Sequence, residues 1–525
     1  MGRSAGIRRA EVRPAVVVLA VLALLGTDCS AQTELAPTLM ASPVVHVRSG
    51  NLVGATLGGV SSFKNIPYAA PPVGALRWRP PVDPVGWAGV RDASHYGAQC
   101  LQNRQSWDSS ASTQPASEDC LTLNVWTPAP LAGAKSALPV MVWTHGGGMV
   151  SGSGTSTLFD GAGLARRGVV IVTFDYRLGR FGFFAHPGLT KESPDGPLGD
   201  YGLMDQIAVL KWVRANIAAF GGDPANVTIF GESSGGESVN RLMLSPEAQG
   251  LFAKAIAESG GGRNPWKPLG EAEAIGRAFA TKAHVTTDDP AALRAIPADK
   301  VLGGINMFSP EADTYSGPIL DGRLVREEVA QGFAAGHAAK VPYLVGSNSD
   351  ELGVVPGILL TPMTEKAAAV LGPDKPAVVA AYGSLAAFHA HFASDLNFTE
   401  PAHALAGFAA RTGQPAYLYR FGYVAQGARN GHGAPHASEL PFVFGATANN
   451  PEDRAAAELM GAYWTNFAKT GDPNGPGLPR WPAYSVKDDQ LLAITPDATT
   501  GAAKAEAVKA GSPALDAITA HYAGH

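Results

Sequence analysis

Short, nearly unbroken apolar runs recur along this chain, separated by longer stretches with apolar residues at helical spacing. Leu138-Pro-Val-Met-Val-Trp-Thr144, Gly168-Val-Val-Ile-Val-Thr-Phe174, Val227-Thr-Ile-Phe230 and Val341-Pro-Tyr-Leu-Val345 have the length of strands and almost no polar alternation. Runs of that kind belong to strands covered on both faces. Between two of them, Met204 to Ala219 puts Ile207, Leu210, Val213 and Ile217 on one helical face. Asp205 is expected in its first turn, where a negative charge favours the helix dipole. Gly221-Gly222-Asp223-Pro224 is expected to end it. Strand–helix–strand order predicts an α/β protein with a mostly parallel central sheet and helices on both faces. Val44 to Leu57 is expected to form an antiparallel edge, and the Ala-rich stretch from Glu271 to Asp321 a helical excursion beside the sheet.

Composition narrows the function. Hydrophobic residues at 46% and charged residues at 16% exclude a disordered chain. A net charge of -5 offers no basic excess to neutralise phosphates, so nucleic acid is not an expected partner. Three cysteines exclude a disulfide-dense scaffold and any four-cysteine metal or iron–sulfur site. The 525 residues carry no fixed-period repeat and no low-complexity linker, so 32–525 is expected to fold as one domain.

The N-terminus has the pattern of an address. Arg3, Arg8, Arg9 and Arg13 precede the apolar run Ala15 to Leu25, and Cys29-Ser30-Ala31 supplies small residues for cleavage. The run is short for a transmembrane helix. Residues 1–31 are therefore expected to be a signal peptide and the mature chain secreted or periplasmic, with no later membrane-spanning stretch. Cleavage leaves Cys100 and Cys120. In an oxidising compartment an even pair is most simply a disulfide; two unrelated thiols are the alternative. Trp107 lies in the loop they would close.

Candidate chemistry starts at Gly231-Glu232-Ser233-Ser234-Gly235. A strand runs in and a helical pattern runs out, so small residues permit a tight turn that exposes Ser233 Oγ. A serine hydroxyl needs a base and an oxyanion site to act as a nucleophile. His145-Gly146-Gly147-Gly148 follows directly after another strand, and glycines let backbone N–H groups converge on one oxygen. The expected donors are Gly147 and Gly148, with Ser234 from the serine turn.

With these motifs the chain resembles the type-B carboxylesterase/lipase family, which includes the cholinesterases, on the α/β-hydrolase fold. The resemblance spans about Val44 to Tyr484. It rests on Asn65-Ile-Pro-Tyr-Ala-Ala-Pro-Pro72, Ser117-Glu-Asp-Cys-Leu-Thr-Leu-Asn124, Asp175-Tyr-Arg-Leu-Gly179 and Phe220-Gly-Gly-Asp-Pro224. Phe230-Gly-Glu-Ser-Ser-Gly-Gly236, Ser438-Glu-Leu-Pro-Phe-Val-Phe444 and Trp464-Thr-Asn-Phe-Ala-Lys-Thr-Gly-Asp472 complete it. It implies a serine carboxylesterase acting on small-molecule esters without metal or cofactor. Ser233 is then the nucleophile, Glu351 the acid and His436 the base, in the α/β-hydrolase order. Asp350 and His432 are the neighbours not chosen. The resemblance also implies a Cys100–Cys120 disulfide, ion pairs Arg77–Glu118 and Arg177–Asp205, and Ser238 as a support behind the turn. Glu232 is placed to tune charge beside Ser233.

Departures bear on the substrate. Ser234 stands where the family often has Ala, and Met149 where a large aromatic is common; Met149 and Trp266 are the expected substrate-lining residues. Trp107 gives no firm match to a choline-binding tryptophan, which argues against a cholinesterase. The closest alternative activity is that of a lipase on long-chain acylglycerols. A metal-dependent hydrolase using His432 with His436, or His389 with His391, lacks a nearby acidic ligand pattern. A non-enzymatic adhesion role is disfavoured because all three triad positions are filled.

Overall fold

In the computed structural model, the described residues are 42–104, 111–129, 137–307, 314–353, 355–429, 433–447 and 450–524. The expected signal peptide 1–31, Trp107 and His432 lie outside them.

Eighteen strands occur among the described residues. The first are β1 (Val44–Val47), β2 (Gly50–Val53), β3 (Ala55–Leu57), β4 (Val60–Pro67), β5 (Val90–Asp92), β6 (Gln99–Cys100), β7 (Ala116–Ser117) and β8 (Thr122–Pro128). Then come β9 (Leu138–Thr144), β10 (Val170–Phe174), β11 (Gly222–Glu232), β12 (Lys254–Glu258), β13 (Lys267–Pro268) and β14 (Ile319–Leu320). The last are β15 (Tyr343–Asn348), β16 (Ala416–Phe421), β17 (Gln490–Pro496) and β18 (Ala503–Lys509). Eleven of them form the central sheet, in the order β18-β17-β16-β15-β12-β11-β9-β10-β8-β4-β3. From β17 to β10 neighbours run parallel. At one edge β18 is antiparallel, and at the other β8, β4 and β3 are.

The strands are apolar throughout because alternate residues enter two different cores. Val140 and Val142 of β9 join one cluster, while Met141 and Trp143 join the other. β12 repeats the division with Ala255 and Ala257 against Ile256, and β15 with Tyr343 and Val345 against Leu344. The helix Tyr201–Asn216 covers the first face through Ile207, Leu210 and Val213. The helix Pro451–Thr470 covers the second through Met460, Trp464 and Phe467. No helix among the described residues is long and apolar enough to cross a membrane.

Three expectations change. The helix starts at Tyr201, so Asp205 lies beyond its first turn. Asp205 is instead wholly buried and takes Arg177 Nε at 2.8 Å, Arg177 Nη2 at 2.7 Å and the Arg177 amide at 3.1 Å. Its tertiary partner, not the dipole, explains the carboxylate. β1 and β2 leave the central sheet and form a separate one with β5; only β3 is the antiparallel edge. The stretch from 271 to 321 contains helices Leu269–Lys282, Pro290–Arg294 and Ala298–Leu302, and ends in β14, which pairs with β13.

Cys100 and Cys120 are bonded, with Cα atoms 5.0 Å apart. Arg77 meets Glu118 at 2.6 Å beside them.

Burial pushes the Asp205 carboxyl up while Arg177 opposes it. Removing one partner strands the other charge in the core. Asp205→Ala is expected to destabilise the protein by about 3–5 kcal/mol in denaturant titrations, and the Arg177→Met/Asp205→Leu pair by less. For the disulfide, denatured unreduced protein lacking residues 1–31 is expected to show no free thiol. Replacing both cysteines by serine is expected to cost roughly 3 kcal/mol, because a loop of this size is released in the unfolded chain.

Candidate functional site

The site forms where β9, β11, β12 and β15 end on the same side of the sheet. β11 passes into the helix Ser234–Leu244 through Ser233, whose φ of 58° and ψ of -126° are rare for a residue with a side chain. Its amide donates to Glu258 O at 2.9 Å. The helix start lies so close to the end of β9 that a Cβ on Gly235 would fall 2.1 Å from Thr144 O. This contact is why the motif needs glycine there.

After β9 the glycine loop turns back on itself. Ser151 N donates to Gly147 O at 3.0 Å, and Gly147 has a φ of 106° that side chains avoid. Met149 N donates to Ser234 Oγ at 3.2 Å, which ties the loop to the serine turn. Among the described residues nothing accepts a hydrogen bond from the amides of Gly147, Gly148 and Ser234. Behind the turn, Ser238 Oγ donates to Ser234 O at 2.9 Å and accepts from Gln206 Nε2 at 3.1 Å.

His436 and Glu351 come together. His436 Nδ1 donates to Glu351 Oε2 at 2.6 Å, and the His436 amide donates to Glu351 O at 3.1 Å. The other carboxylate oxygen accepts from Ser259 Oγ at 2.6 Å and from Asn348 N at 2.7 Å. Glu351 is fully buried, so three donors offset the loss of water. Asp350 makes no hydrogen bond to His436; its amide donates to Ala434 O at 3.0 Å. His436 Nε2 faces Glu232 Oε1 at 3.1 Å. No hydrogen bond joins His436 to Ser233 Oγ among the described residues.

Burial of His436 opposes its cation, but Glu232 and then Glu351 outweigh this and raise its pKa above the ordinary imidazole value. Phe398 covers the imidazole with ring centroids 4.8 Å apart. It sits on the single π-helical turn Asp395–Thr399, an irregularity that redirects a side chain.

The sequence reading missed several participants. Asn348, the last residue of β15, donates from Nδ2 to Pro435 O at 2.7 Å and to Glu439 Oε2 at 2.5 Å. Glu439 and Glu258 are fully buried, and Trp464 Nε1 donates to Glu258 Oε1 at 3.0 Å. Burial and the neighbouring Glu351 push Glu439 up to about 7; burial and Glu439 push Glu258 well up. Isolated glutamates carry no sequence signal for such burial. The two expected substrate-lining residues are enclosed by protein. Met149 is 2% exposed; Trp266, 6% exposed, donates from Nε1 to Glu237 Oε1 and lies under the Arg241 guanidinium, 3.8 Å from its ring centroid. His389 pairs with Glu365 at 2.8 Å. No group of three or more potential metal ligands occurs among the described residues.

Comparison with known proteins gives the family of this chain. The sequence pattern of the carboxylesterase family matches residues 41–369 and 381–511. Fumonisin B1 esterase of Sphingopyxis macrogoltabida is 37% identical, over 85% of this chain and 85% of its own. Para-nitrobenzyl esterase of Bacillus subtilis is 37% identical, over 88% and 96%. The solved structure of a Geobacillus stearothermophilus carboxylesterase superposes with a TM-score of 0.76 at 33% identity, covering 91% of this chain and 99% of that one. The chain belongs to the carboxylesterase family and is a carboxylic ester hydrolase of the α/β-hydrolase fold.

Proposed function

We propose that this chain is an exported serine carboxylesterase that cleaves small-molecule esters through an acyl-enzyme on Ser233, with His436 as base and Glu351 as its orienting acid. The observation that carries the reading is the short Glu351–His436 pair, with His436 facing Glu232, the residue just before a serine held in a strained strand-to-helix turn. The Cys100–Cys120 bond supports export, since disulfides persist in oxidising compartments.

In the first half-reaction, Ser233 Oγ attacks the ester carbonyl carbon and its proton passes to His436 Nε2. For this, Nε2 turns from Glu232 to Ser233. The carbonyl oxygen becomes an oxyanion held by the N–H groups of Gly147, Gly148 and Ser234. Collapse breaks the bond to the alcohol oxygen, which leaves with the proton from His436. Water then attacks the acyl-enzyme, gives its proton to His436, and the carboxylic acid departs as Ser233 Oγ regains that proton. Glu351 fixes the tautomer and stabilises the imidazolium throughout.

Ser233→Ala and His436→Ala are each expected to lower turnover of p-nitrophenyl acetate on the order of 10⁴-fold or more. An organophosphate is expected to label Ser233 in the parent protein. Labelling of Ser234 instead, or an active Ser233→Ala, overturns the assignment.

The pH profile follows from the carboxylates. His436 accepts a proton only when neutral, and its pKa is raised by Glu232 and Glu351 against the opposing effect of burial. The rate therefore falls as pH drops through that raised value. The acid limb of kcat/KM is expected above the ~6.5 of free imidazole. Glu232→Gln removes one negative neighbour and is expected to move the limb to lower pH, seen in kcat/KM profiles of the two proteins.

A further inference from the structure

Met307 was not singled out by any sequence motif, yet it lies against the glycine loop. A Cβ built on Gly148 would fall 3.2 Å from Met307 Cγ, 3.7 Å from Cε and 3.8 Å from Sδ. The thioether therefore covers the open face of one expected oxyanion donor. The side chain is 40% exposed, so one side meets the glycine and the other solvent.

Its place is held by two side chains. Arg180, 1% exposed, donates from Nη1 to Val301 O at 3.3 Å and from Nε to Thr314 O at 2.8 Å, on either side of Met307 in the chain. Asn103 Nδ2 donates to Gly303 O at 3.0 Å and Ile305 O at 2.8 Å. Its neighbour Gln102 grips the far end of the glycine loop, donating to Gly152 O at 2.7 Å and accepting from Gly152 N at 2.8 Å. Gln102 and Asn103 follow the bonded Cys100 after one residue, Leu101. One short segment thus fixes both the glycine loop and the strip of backbone leading to Met307.

The loop also has a direction. A Cβ on Gly146 would lie 2.7 Å from Glu232 Oε2, and Glu232 Oε1 faces His436 Nε2. The imidazole must reach the leaving alcohol oxygen, so the alcohol departs at the Gly146 end. The acyl group then points toward the Gly148 end, where Met307 waits.

We propose that Met307 is a specificity-determining residue whose thioether, positioned over Gly148 by Arg180 and Asn103, forms a wall for the acyl group of the ester. This rests on the serine esterase reading above. A flexible, polarisable side chain yields to moderate changes of shape but resists branching close to the carbonyl.

The test keeps the leaving group constant and varies the acyl group, comparing kcat/KM for p-nitrophenyl acetate and p-nitrophenyl pivalate. Met307→Ala is expected to raise the pivalate-to-acetate ratio by about tenfold, the scale on which a few methylenes in a pocket discriminate. Met307→Phe is expected to lower it, and Asn103→Ala to move it in the same direction as Met307→Ala. The ratio does not depend on how much protein is folded, and organophosphate titration of Ser233 counts the active fraction. A ratio unchanged in both Met307 variants overturns the proposal. So does a change that appears only when the alcohol is varied at constant acyl group. A parent protein that neither hydrolyses these esters nor takes the label at Ser233 overturns the underlying reading instead.

Discussion

A single backbone conformation governs the geometry of this site. Leaving β11 and entering a helix within one residue puts Ser233 in a region that costs of order 1–3 kcal/mol. The surroundings impose it. Ser233 N is claimed by Glu258 O at the end of β12, and Gly235 packs against Thr144 O at the end of β9. Those same strand ends launch Ser259 and the glycine loop. The turn, the loop and the Glu351 support are therefore set by neighbouring strands in parallel register, which a rigid sheet holds better than loops hold one another.

Charge around the imidazole is unusually dense. Three buried or nearly buried carboxyls, Glu232, Glu351 and Glu439, act on one histidine, and Glu258 neighbours two of them. Their surroundings differ. Glu351 is met by three donors, whereas burial pushes Glu258 and Glu439 toward their neutral forms. A buried cluster of like charges is tolerable when some members carry protons. The side chain that most directly balances the negative charge facing it is His436.

Legibility in the sequence followed physical range. Continuous apolar strands were readable because each residue is buried wherever it points, as Met141 and Val142 illustrate on opposite faces of β9. The Ser233 turn was readable because small residues around a serine are a local steric requirement. Helical spacing alone put Asp205 in a first turn, because its pairing with Arg177, 28 positions away in the chain, was legible only through the family resemblance. The separation of β1 and β2 from the main sheet depends on pairing with β5, which no local alternation encodes. Glu258 and Met307 were silent for the same reason, since their surroundings are assembled from distant segments; Glu439 stands in a family motif, but nothing local in it encodes burial beside Asn348.

Asn348 spans the gap between two such segments. Its backbone amide holds Glu351, and its side chain holds Pro435 and Glu439 on either side of His436. The Glu351–His436 distance is thereby fixed without reference to the chain that connects them, a stretch containing helices Gly357–Ala367, Lys375–Ala381 and Leu385–Ser394. The break in the family match between 369 and 381 falls inside that stretch. A change of length in that stretch therefore has a route to leave the pair it encloses at the same spacing, because the clamp bypasses it.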